Sequence, residues 1–204
     1  MNKKSNVLII IGLLLIAVAL SFTLYNLYDE RRAEVSVQNI LEVLPTPRPT
    51  SMIGDGDLKE EEISDYRLNP NMDMPSEIVD GKDYIGILQI PALHLTLPII
   101  SEWSYPNLKM APCRYTGSVY LDNMVIAAHN YASHFGTIKN LKVGDRMYYT
   151  DADGNVFTYS VVETEVLKHN AVEAMTSGNW DLTLFTCTWS GQNHVTVRCE
   201  KIED

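Results

Sequence analysis

The sequence predicts an all-β fold with short helices, a closed barrel of roughly seven to eight strands, preceded by one transmembrane helix. Three observations carry this. From Asp83 onward, short runs rich in Val, Ile, Leu, Tyr and Thr follow one another at the close spacing of a barrel rather than an open sheet. Near the start, Val7 to Leu24 runs eighteen residues without a charge, long enough to cross a bilayer. Between the two lies a polar stretch: residues 29–80 carry five basic against thirteen acidic side chains, most of the net charge of −10.

In chain order, residues 1–6 form a short basic flank with Lys3 and Lys4, and residues 7–28 form the anchor. The apolar run exceeds the core of a cleaved signal peptide, and no Ala-x-Ala site follows before Asp29. A six-residue flank before a large remainder predicts the N-terminus inside and the rest outside. Val37, Ile40, Leu41 and Leu44 recur at helical spacing, so a juxtamembrane helix continues until Pro45 and Pro47 end it. Residues 45 to about 80 combine Pro, Ser, Gly, Met and Glu60-Glu61-Glu62, too polar to fold alone. Residues 29–80 are therefore expected to be a juxtamembrane helix and a flexible acidic tether, its coil spanning roughly 30 to 35 Å and letting the folded domain stand off the membrane.

Residues 81–204 hold the folded domain. Strands are predicted at Tyr84–Ile90, Leu93–Ile100, Ser118–Leu121, Val125–Ala128, Arg146–Thr150 and Val156–Lys168, with short helices at Phe135–Leu141 and Ala171–Met175. Asp151-Ala152-Asp153-Gly154-Asn155 begins like a calcium loop, but Val162 stands where the twelfth-position Glu belongs, so a hairpin turn is expected. The last stretch, Asp181 to Glu200, reads as two strands joined by the polar loop Trp189-Ser190-Gly191-Gln192-Asn193. If the loop sits at the middle of the pair, Cys187 lies roughly opposite Arg198, and a thiol and a guanidinium share a face.

Nucleic acid is excluded as a partner, because no basic patch interleaves with aromatic residues. The three cysteines form no CxxC pair and no metal spacing, and an odd count leaves at least one thiol free. Cys199 alternates with Val195 and Val197 and reads as a core residue. Cys187, at a strand end beside a polar loop, is the candidate nucleophile, and it needs a base or cation nearby to become a thiolate. Of five histidines, His129 stands apart: it tops the apolar run Val125-Ile126-Ala127-Ala128 where the chain opens into a loop. His94 reads as a solvent-facing strand residue, His134 as a helix-start residue, and His169 and His194 have no distinguishing neighbour.

Thr183-Leu184-Phe185-Thr186-Cys187 resembles the TLxTC signature of sortases, membrane-anchored cysteine transpeptidases of mainly Gram-positive bacteria. Ala128-His129-Asn130 is similar to their histidine segment, the run from Phe135 to Asp145 to the helix and turn after it, and Val197-Arg198 to the strand carrying their arginine. The four segments stand in family order over roughly residues 83 to 202. The resemblance implies a sortase-type barrel that cleaves an LPxTG-like sorting signal between Thr and Gly. Cys187 would form a thioacyl enzyme, and an amine of the cell wall or of a pilin would resolve it. His129 would move the protons, Arg198 would donate to substrate or oxyanion, and Thr186 and Thr188 would touch the substrate. No cofactor or metal is implied. The implied partners are surface proteins bearing sorting signals and the amine acceptor. The implied location is the cell membrane, single-pass, with the catalytic domain on the extracellular face. Without an anchor after Asp204 or an Asp-Pro-aromatic motif before the domain, the chain resembles a class D or E type or an unassigned relative more than the pilin-polymerising type, and Lys168 to Leu182 is short for the class B insertion. Two other readings fit the residues: a non-catalytic extracellular β-domain of adhesin or receptor type, and a membrane-tethered cysteine peptidase. Since residues 1 to about 75 carry none of the matched segments, the anchor and tether are expected to serve position rather than chemistry.

Overall fold

The computed structural model describes residues 3–44 and 64–202. A single helix, α1 (Lys3–Val43), includes the apolar run and continues beyond it. It is long and apolar enough to cross a membrane, and its apolar window is entirely unburied. Its C-terminal third behaves differently: Ala33, Val37, Ile40 and Leu44 are buried, and the last three join the domain core. This is the stripe the helical spacing predicts.

After α2 (Asp65–Leu68) come nine strands: β1 (Glu77–Val79), β2 (Lys82–Ile90), β3 (Leu95–Ile100), β4 (Cys113–Thr116), β5 (Met124–Ala128), β6 (Arg146–Asp151), β7 (Val156–Lys168), β8 (Leu182–Cys187) and β9 (Asn193–Ile202). Short helices α3 (Tyr105–Leu108) and α4 (Val172–Thr176) precede β4 and β8. The strand order β1-β2-β3-β4-β5-β8-β9-β7-β6 closes because β2 also pairs with β6. Eight strands form the barrel and β1 extends β2. Closure requires a glycine at Gly86: a Cβ there would run into the Thr150 carbonyl of β6. Inside, Tyr149, Tyr159, Phe135, Leu88 and Leu184 are fully buried, and the Tyr149 hydroxyl donates to the Ile85 carbonyl at 2.8 Å.

Several expectations change on contact with this architecture. Ser118–Leu121 is not a strand: the Ser118 hydroxyl accepts the Tyr120 N–H, and a 3-10 turn follows at Val119–Leu121. The strand on that stretch is β4, just before it. Phe135–Leu141 contracts to a 3-10 turn at Ile138–Asn140, and Leu93 belongs to a 3-10 turn that ends at an exposed, left-handed His94. The expected tether is only partly testable, because residues 45–63 lie outside the described residues. From Ser64 onward the chain packs: Tyr66 stacks on Tyr120 with ring centroids 4.8 Å apart, and Met74 is buried. With α1 also seated on the barrel, the domain contacts the helix that precedes it, where a flexible tether was expected to hold the two apart. Asp151–Asn155 is the turn of the β6–β7 hairpin, and Asp151 accepts from the Asp153 and Asn155 amides and from the Tyr120 hydroxyl.

His134 is fully buried, and neither ring nitrogen makes a well-formed hydrogen bond among the described residues, although the Met110 backbone lies near enough to oppose the effect of burial in part. Burial, then the nearby His129, pushes its pKa down to about 4. A histidine whose folded pKa lies below its unfolded value destabilises the fold as pH drops through that interval, because the unfolded chain binds the extra proton. Between pH 7.5 and pH 5 this one group should remove about 2 kcal/mol of stability. His134→Phe should remove that share of the loss, measured by denaturation at the two pH values.

Candidate active site

Two strands that run parallel build the site. β5 and β8 pair in register from Met124↔Leu182 to Ala128↔Thr186. The Thr186 hydroxyl donates to the Ala128 carbonyl at 2.8 Å and pins the final step. One residue further, His129 leaves β5 and Cys187 ends β8, and both line one cavity. Thr186 is 3% exposed, and its hydroxyl hydrogen is spent on the strand pair, which leaves no donor for the substrate contact expected of it.

On the other side of β8, the antiparallel pairing with β9 sets Cys187 opposite His194, not Arg198. The reason lies in the turn. Thr188 N–H donates to the Asn193 carbonyl at 2.8 Å, and the Asn193 N–H reaches the Thr188 hydroxyl at 3.3 Å, so the reversal is tighter than a loop centred past it would be. Thr188 thus holds the turn together. Arg198 pairs with Thr183, on the same face as Cys187 but four residues down the strand, about 13 Å away at the usual rise. There its guanidinium is consumed: Nε to Glu165 at 2.9 Å, Nη1 to the Met175 carbonyl at 2.8 Å and Thr183 at 3.1 Å, and Nη2 to the Ala174 carbonyl at 2.6 Å. It fastens α4 to the barrel.

A cavity of about 370 Å³ opens beside the thiol. Its lining includes Cys187, His129, His169 and His194, and no Asp, Glu, Lys or Arg among the described residues lines it. Trp103, Tyr105, Leu108, Met175 and Phe185 supply much of its apolar lining. The lining thus accepts an uncharged, partly apolar segment and leaves proton chemistry to imidazoles. Sequence reasoning passed over His194 and His169. The register of the β8–β9 turn was the missing signal for His194; nothing local singles out His169.

Cys187 is the exposed cysteine, while Cys113 and Cys199 are buried. Burial raises the Cys187 pKa and, as the largest cause, lowers that of His129, which Asp29 partly opposes and Lys109 reinforces. Burial and His169 lower the pKa of His194. Neutral thiol and neutral imidazole are therefore the resting forms at pH 7. His129 Nε2 and His194 Nδ1 are shielded from solvent and have no hydrogen-bond partner among the described residues. The loop after His129 folds tightly back: Phe135 N–H donates to the His129 carbonyl at 3.1 Å and Gly136 N–H to Tyr131 at 2.8 Å. At Gly136 a Cβ would stand 2.5 Å from the Asn130 carbonyl oxygen, so only glycine fits.

The Arg198 contacts make a stability prediction. Arg198→Lys keeps the charge but cannot reach the two carbonyls, Thr183 and Glu165 together. Its unfolding free energy should fall by about 3 kcal/mol, measured by chemical denaturation, and hydrogen exchange of residues 172–176 should rise.

Comparison with known proteins places this geometry. The sortase domain family matches residues 88–202. Sortase A of Bacillus anthracis is 28% identical over 115 residues, a match covering 53% of this chain and 54% of that protein; it thus spans about half the length of the relative. Sortase C from Clostridium perfringens SM101 is 26% identical, with a TM-score of 0.52 over 60% of this chain and 71% of that one. The complex of Streptococcus agalactiae sortase C1 with MTSET is 25% identical, with a TM-score of 0.54 over 63% and 71%. The chain belongs to the sortase family.

Proposed function

We propose that this protein is a membrane-anchored cysteine transpeptidase that cleaves an LPxTG-like sorting signal and transfers the surface protein bearing it to an amine of the cell wall or of a pilin. The observation that supports this is the parallel pairing of β5 and β8, whose ends bring Cys187 and His129 into the lining of one largely apolar cavity. The helix preceding the domain fits a single-pass anchor with the domain outside the cell.

In this reading the apolar lining of the cavity takes the leucine and proline of the signal, and the Thr–Gly bond lies over Cys187. The Cys187 sulfur attacks the threonine carbonyl carbon, and His129 gives its proton to the departing glycine nitrogen. A thioester remains. An incoming amine loses a proton to His129 as it attacks, and the Cys187 thiolate leaves. The proposal assigns donation to the developing oxyanion to His194, which shares a cross-strand pair with Cys187 and has a free buried nitrogen. Arg198, assigned that task in the sequence reading, acts instead through α4, whose Val172 and Met175 line the cavity.

The test is incubation of the full chain in detergent with a panel of sorting pentapeptides, with and without an amine acceptor. Cys187→Ala should form no acyl-enzyme, whereas Cys113→Ala and Cys199→Ala should still form it. Cleavage by Cys187→Ala would sink the assignment, and product that ignores the acceptor would make the protein a hydrolase. His194→Ala should lower kcat on the order of a hundredfold.

The reactive pair is thiolate with imidazolium, a minority form when the histidine pKa lies below that of the thiol. As pH rises, kcat/KM should climb up to a His129 pKa below 6.5, stay level, then fall beyond a Cys187 pKa above 9.0. A narrow optimum between two closely spaced pKa values would contradict these environments.

A further inference from the structure

His129 carries a ring nitrogen, Nε2, that is buried without a hydrogen-bond partner among the described residues, and aromatic packing bears on the ring. The packing comes from Tyr131, whose ring lies 4.9 Å from His129 between centroids, tilted by 36°, and 5.5 Å from His134. What holds Tyr131 lies outside the barrel. Its hydroxyl donates to Asp29 Oδ2 at 2.6 Å, and the neighbouring Ala132 N–H donates to Glu30 Oε1 at 2.8 Å. Arg32 lies 3.1 Å from the other Asp29 oxygen, so the carboxylate is gripped from both sides. Both acids sit on α1 directly after the apolar run, on the turn preceding the buried stripe Ala33, Val37 and Ile40.

We propose that Asp29 and Glu30 of the anchor helix are positioning residues of the active site, which hold the 129–136 loop through Tyr131 so that His129 stays beside Cys187. This rests on His129 as the proton-transfer group. The physical case is one of ordering. A loop that leaves a strand end has many conformations, and two hydrogen bonds to a helix already fixed by its buried stripe select one of them. The charge of Asp29 also favours the imidazolium that the reactive pair needs, opposing the effect of burial. The site is then complete only with α1 docked. Asp29 and Glu30 follow the expected anchor, residues 7–28, within about one helical turn, roughly 5 Å along the axis, which would set this contact at the membrane surface, where an anchored sorting signal is still held.

The experiment uses the full chain in detergent micelles. Asp29→Ala should speed amide exchange across residues 129–136 by tenfold or more and lower kcat for the sorting peptide about tenfold, with KM within twofold. Asp29→Asn, which still accepts from Tyr131, should recover most of both. Glu34→Gln, an exposed site on the same helix, should change neither. Wild-type exchange in Asp29→Ala overturns the proposal, as does a kcat within twofold of wild type despite faster exchange, or an equal loss in Glu34→Gln. If the wild-type chain turns over no peptide, the transpeptidase reading fails by itself, and the exchange data still decide whether the helix holds the loop.

Discussion

The hydrogen-bonded parallel pairing of β5 with β8 is the constraint on which the rest depends. Parallel strands are joined by long crossovers, so their register is fixed by core packing rather than by a turn. Here Ile126, Ala127 and Leu184 are buried along the pair, and the Thr186 hydroxyl closes it on the Ala128 carbonyl. A slip of one residue would turn every one of these side chains to the opposite face. The correct register leaves His129 and Cys187 as the first residues beyond the ladder. Catalytic groups at the ends of strands inherit the precision of the core while retaining access to substrate.

The second layer of support is lateral. On one side, β9 presents His194 to the thiol, and further down Arg198 ties α4 into the wall of the cavity. On the other side, α1 reaches the histidine loop through Asp29 and Glu30. The buried guanidinium is matched by two carbonyls, a hydroxyl and a carboxylate, the condition under which a buried charge is tolerated. An element that reads as a membrane anchor and one that reads as a catalytic arginine are both, in this fold, parts of the scaffold around two small side chains.

Much of this was legible in the residues. The barrel shows in the spacing of β-branched runs, the anchor in an uncharged stretch, and the buried nature of Cys199 in its alternation with Val195 and Val197. The face on which Arg198 lies was also legible, because side-chain direction depends only on parity. Its distance along the strand was not, because that depends on where the turn closes: Thr188 and Asn193 centre it between Ser190 and Gly191, and facing Arg198 would need a centre two residues further on. The role of Ser118 was hidden for a similar reason: a hydroxyl that caps a backbone amide looks the same, in sequence, as one on a strand. The packing of α1 was half visible. Its apolar stripe at Val37, Ile40 and Leu44 announced a partner, but a composition-based division into anchor, tether and domain assigned it none. Contacts such as Asp29 to Tyr131, separated by 102 positions, leave no local trace.

The central claim is that residues 129 and 187 stand side by side, and a covalent ruler tests it. Adjacent parallel strands place their Cα atoms about 5 Å apart, within the span a disulfide bridges. The variant His129→Cys, with Cys113 and Cys199 buried and unreactive, should oxidise under mild conditions to a single bridge joining positions 129 and 187, found by peptide mapping without reductant. Two independent thiols that persist under oxidant, each reacting separately with a thiol reagent, would contradict the account.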